Sequence, residues 1–141
     1  MTLEPSAPDR AERRNRVLSI WLVRLSAIVL FAIGVSYWIR LVGIYDGPLW
    51  RFDLMPIWWK AAATMLAVLA PVAGVGLWMT VSWGVVIWVI VALVEAFMHL
   101  GFPALFGPPT PWLWFHLVGL SLYVVLRTIV WWERWRRLRR P

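Results

Sequence analysis

Within its apolar stretches this chain carries few side chains that could do chemistry. Glu95 and His99 stand four residues apart in VALVEAFMHLGF, residues 91–102, a spacing that stacks two side chains on one face of a helix. The second of the two histidines, His116, lies in the next apolar run, and Tyr37 and Arg40 close the first. One carboxylate with two imidazoles can relay a proton, ligate a metal or haem, or hydrogen-bond one helix to another. An isolated ionised carboxylate costs roughly 2.5–3.5 kcal/mol at mid-bilayer, so Glu95 is expected to be protonated, paired or hydrated.

The elements that must position these groups follow from composition. The chain has 141 residues, 62% of them hydrophobic and 15% charged, too apolar for an ordinary soluble domain and spaced as spanning segments are. Four runs are long enough to cross a bilayer as helices, at about 17–39, 57–78, 81–100 and 112–132. An all-α, integral membrane four-helix bundle is the expected fold. DGP at 46–48 with Pro56, and the four prolines of GFPALFGPPTP at 101–111, punctuate the first and last runs. Between the middle two, WMTVSWG at 78–84 reads as a tight hairpin helped by Gly74, Gly76 and Gly84. The expected domain organisation is a basic segment 1–16 whose first nine residues are disordered, a transmembrane domain 17–132, and a basic tail 133–141.

Charge gives the orientation. Arg10, Arg13, Arg14 and Arg16 precede the first run, and Arg134, Arg136, Arg137, Arg139 and Arg140 follow the last, against Arg40, Arg51 and Lys60 on the opposite side. The positive-inside rule then puts both termini in the cytoplasm of a bacterial cell, with the protein in its inner membrane. A nucleic-acid binder would spread its basic residues over one folded face, so nucleic acid is not an expected partner; lipid is, with a membrane protein or a second copy beside it. Most of the thirteen tryptophans fall at the two predicted boundaries, where their amphipathic rings prefer to lie, and only Trp21 and Trp88 are deeper. The absence of cysteine excludes disulfides, thiolate metal sites and thiol chemistry.

Helical phase then assigns faces. On the third helix Gly84, Trp88, Val91, Ala92, Glu95 and His99 share one sector, expected to face protein, and Val86, Ile90, Leu93 and Phe97 the lipid side. On the second, Ala63, Ala67, Ala70 and Gly74 form a small-residue stripe, and Pro71 frees the Ala67 carbonyl for a neighbour. The inward stripes of the first and fourth read as Arg24, Ala27, Phe31, Gly34, Trp38 and as His116, Leu120, Tyr123, Arg127, Arg134. At about 1.5 Å per residue, Glu95 lies about 9 Å below the outer surface and His116 about 6 Å, while Arg24 and Arg127 stand about 9–10 Å above the inner one. The expected polar layer is therefore Glu95, His99, His116, Tyr37 and Arg40. Arg24, Arg127, Arg134, Arg136 and Arg137 are expected to anchor the protein in lipid headgroups. The outer loop 40–56 is expected to lie in the interface.

Three readings of the layer compete: interhelical glue, which weighs most; a proton or ligand site opening outward beneath the proline-rich loop; and a metal or haem site on Glu95, His99 and His116. No cofactor is expected under the first, and haem or a divalent metal under the third. No serine–histidine–acid set, phosphate loop or paired aspartate motif is present, which leans against an enzyme.

A basic residue followed by Gly34 in the first run, small residues with Pro71 in the second and FMH at 97–99 closing the third resemble the small four-span bacterial membrane proteins of the DoxX-like group. More closely, they resemble an alphaproteobacterial inner-membrane family of unknown function. The resemblance spans about Arg24 to Arg127 and implies a link to quinone or thiol redox systems. The second run carries no acidic residue and the chain no cysteine, a departure from that pattern. The expected role is an accessory or scaffold subunit without covalent chemistry; the rivals are a small redox, metal or haem protein and a proton-coupled carrier.

Overall fold

The computed structural model describes residues 10–138, with side chains as far as Arg136. The predicted disorder of residues 1–9 and the tail positions Arg139 and Arg140 lie outside the described residues, as does the side chain of Arg137.

The described chain is helical, with α1 (Arg10–Val42), α2 (Ile57–Trp78), α3 (Ser82–Ala96) running on into a π-helical turn (Phe97–Gly101), a short α4 (Pro103–Phe106), and α5 (Pro111–Leu138). Four of these helices, α3 taken with its π turn, are long and apolar enough to cross a membrane. Both outer helices run further than their apolar cores: α1 begins at Arg10 and α5 continues to Leu138. The extensions meet, since Asn15 Nδ2 donates to Glu133 Oε1 at 2.9 Å. The start of α1 and the finish of α5 therefore lie at one end of the bundle.

Small residues set how closely the helices approach. A Cβ on Gly34 of α1 would stand 2.5 Å from the Pro71 ring of α2, and one on Gly76 of α2 would meet Gly84 of α3 at 2.5 Å. Ala63, Ala67, Ala70 and Gly74 are all buried along this seam, and backbone contact of this kind supplies the dispersion that lipid-facing helices otherwise lack. Pro71 has no N–H for the Ala67 carbonyl, and Trp38 Nε1 of α1 donates to that oxygen at 3.0 Å.

The α2–α3 hairpin closes as a Schellman turn. Val81 N–H donates to Gly76 O at 3.1 Å and Thr80 N–H to Leu77 O at 2.9 Å, with Thr80 in the left-handed region at φ 57°. The loop at 101–111 is not wholly irregular, because Pro103 takes the first-turn position that tolerates a missing donor and starts α4. That helix is tied down by Trp59 Nε1 of α2, which donates to Leu105 O at 3.1 Å.

The predicted inward stripe of α1 is right at Ala27 and Gly34 and wrong at its three large residues. Arg24, Phe31 and Trp38 are exposed, and the buried line is Val23, Ser26, Ala27, Leu30, Ile33, Gly34 and Tyr37. Both sides of this helix are apolar, so hydropathy does not choose between them. The choice falls to steric fit, with Gly34 against Pro71 and the Ala27 carbonyl 3.1 Å from the position of a Gly74 Cβ. On α5 the predicted stripe is correct only at its start: His116 is buried, Leu120 and Tyr123 are half-buried, and Arg127 and Arg134 are exposed.

Candidate functional site

Helix α3 carries the site. Its predicted inner face, Gly84, Trp88, Val91, Ala92, Glu95 and His99, is buried throughout, while Val86, Ile90, Leu93 and Phe97 are exposed. Glu95 is 0% exposed and reaches two other helices. Tyr37 Oη of α1 donates to Glu95 Oε1 at 3.1 Å, and His116 Nε2 of α5 lies 3.3 Å from Glu95 Oε2. The second contact is close but not aligned as a hydrogen bond, and neither of its two buried atoms has another hydrogen-bond partner.

Trp88, two turns from Glu95 on the same face, completes a chain of four side chains. Its Nε1 donates to His116 Nδ1 at 3.0 Å. An indole N–H can only donate, so Nδ1 must be the bare nitrogen of a neutral imidazole and Nε2 carries the proton toward Glu95. Trp88 also supports α5 sterically: its ring stacks on Phe115 with centroids 5.8 Å apart, and a Cβ on Gly119 would lie 2.9 Å from it. His116 and Gly119 are the buried residues of α5 among those described. Both rest on Trp88.

The other layer residues are set apart from this chain. The π turn carries His99, which is buried, and its Nδ1 lies 3.3 Å from the carbonyl of Gly107 beyond α4. A carbonyl only accepts, so Nδ1 carries the proton in that contact. Arg40 lies over Trp50 at 4.4 Å and over Trp59 at 5.4 Å, within cation–π range of both. Among the described residues, no three His, Asp or Glu side chains gather as a ligand set for a metal ion.

Of the predicted anchors, Arg24 lies over Trp78 at 5.5 Å and Arg136 over Trp132 at 5.2 Å. Arg127 and Arg134 line a cavity at the basic end. Elsewhere an apolar groove of about 450 Å³ runs between α3 and α5, walled by Ala92, Ala96, Leu113 and Leu117 and reaching His116.

The sequence signature of a family of unknown function, DUF6163, matches residues 17–134. The chain belongs to this family. The match covers the apolar part of all four long helices and every member of the polar chain. No curated protein and no solved structure matches the DUF6163 chain.

Sequence reasoning did not find Trp88 as a polar partner. A tryptophan far from both boundaries must find an acceptor for its N–H when buried, and with Trp88 predicted on the inward face of Glu95, that requirement was the available signal.

Proposed function

We propose that this DUF6163 protein is an integral protein of a bacterial inner membrane, both termini cytoplasmic, acting as an accessory or scaffold subunit without covalent chemistry of its own. The observation that carries the reading is the way the polar groups are used. Glu95, His116, Tyr37 and Trp88 turn toward one another and join α1, α3 and α5, each at most 6% exposed. Buried networks of this kind specify packing. The arginine asymmetry supports the orientation, and the alphaproteobacterial, DoxX-like resemblance belongs to the same reading.

The test is recovery of the tagged chain from native membranes in a mild detergent. The expected result is one membrane protein co-purifying in fixed stoichiometry. A chain recovered alone, or one with a Soret band or stoichiometric metal that His116→Ala removes, overturns the reading.

One observation favours a second reading, a proton-coupled carrier opening outward near Glu95. His116, whose Nε2 faces Glu95 Oε2 without an aligned hydrogen bond, lines the α3–α5 groove. Glu95→Gln separates the two. Loss of pH-dependent transport with an unchanged melting temperature supports the carrier, whereas a lowered melting temperature supports the scaffold.

A further inference from the structure

At the end of the bundle where α1 and α5 meet, α1, the α2–α3 turn and α5 enclose a cavity of about 380 Å³. Three guanidinium groups line it: Arg16 from α1, and Arg127 and Arg134 from α5. None of them forms a salt bridge among the described residues. Glu12, the one carboxylate among the cavity's described lining residues, already has a partner. The hydroxyls of Ser82 and Tyr123 stand on the same walls, and Ile20, Val85 and Val130 add apolar surface.

This combination is specific in its chemistry. Guanidinium groups bind phosphate through paired N–H donors, and three of them without acidic partners in a concave site are a strong attraction for an anion. The apolar walls would be wasted on a free ion but suit the chains of an amphiphile. Trp78, Trp83, Trp131 and Trp132 lie near the same end of the helices, the level that tryptophan takes at a headgroup layer. We infer that the cavity binds a phosphate-bearing anion, the headgroup of an anionic phospholipid, with its acyl chains along Val85 and Val130. The site is separate from the Glu95 chain and does not depend on the proposed scaffold role.

The full chain, purified in a neutral detergent, is titrated with phosphatidylglycerol, with phosphatidylcholine and with inorganic phosphate, and retention is read by native mass spectrometry. Phosphatidylglycerol is expected to be retained about tenfold better than phosphatidylcholine. The R127Q, R134Q variant should lose that preference. R13Q, R14Q removes the same charge from exposed positions off the cavity and should keep it. V85W fills the cavity with its charge intact, so it tests the site even where the glutamine variant does not fold: loss of retention supports the inference and wild-type retention overturns it. Equal retention of the two lipids overturns it too, as does an equal loss in R13Q, R14Q, which would mean diffuse attraction. Inorganic phosphate that binds alone and displaces the lipid supports the phosphate chemistry and names the free ion as its source; phosphate that does neither names the lipid.

Discussion

Trp88 is the residue through which α3 holds the fourth long helix. Trp88→Phe keeps most of the ring and removes the donor, leaving His116 Nδ1 buried and bare. A loss of about 1 kcal/mol is expected in reversible unfolding from detergent. A double-mutant cycle with His116→Ala should return a coupling of about 0.6 kcal/mol, and no more than about 1.7. A coupling near zero would mean that the indole contributes by packing alone. Outside the spans, Arg51 holds the carboxyl of Asp53 below its ordinary value, through hydrogen bonds of 3.2 and 2.9 Å. A lowered value stabilises the fold above the unfolded carboxyl range, and that stabilisation fades as pH falls through the lowered value. Because the pair is exposed, Asp53→Asn should move the melting temperature at pH 7 by no more than about one degree. At this scale the sequence was informative where polarity broke the apolar pattern, as at Glu95 and His116. At Trp88 it offered only the need of a buried indole for an acceptor, without saying which.

Among the elements, the α2–α3 turn holds a threonine where a Schellman turn usually has glycine. A β-branched residue in the left-handed region costs roughly 1–2 kcal/mol, so Thr80→Gly should raise stability by about 1 kcal/mol, read as a higher melting temperature. The α1–α2 seam gives a prediction of opposite sign. Gly34→Ala should cost about 1–3 kcal/mol by overpacking, and Pro71→Ala in the same chain should recover much of it, because the clash is with the proline ring. If both single changes are neutral, the seam is looser than its distances imply. The face of α3 was legible because Gly84, Trp88, Glu95 and His99 differ in kind from the valines and leucines opposite. The face of α1 was not, since Leu25 and Leu30 are equally apolar and only the fit of Gly34 to Pro71 tells them apart. The π turn has no composition of its own, and the Phe97–Gly101 segment reads like any other apolar helix end.

For the whole molecule, the arginine distribution predicts that cysteines introduced at Arg13 and Arg136 are labelled together, from the cytoplasmic side only, by a membrane-impermeant reagent. Labelling of the two from opposite sides would contradict a bundle whose helix ends are joined by Asn15 and Glu133. The four long helices were legible from length and hydropathy, but their unequal engagement was not. Only 11% of the most apolar window of α5 is buried, against 33%, 44% and 39% for the other three. The first three interlock through glycine and alanine, and the fourth lies against α1, with Asn15 to Glu133 at one end, and against Trp88 and its polar neighbours on α3. Pulled mechanically from its carboxyl end, such a molecule should give way in two stages. A single helix would peel off at low force, and a much larger cooperative rupture of the remaining trio would follow.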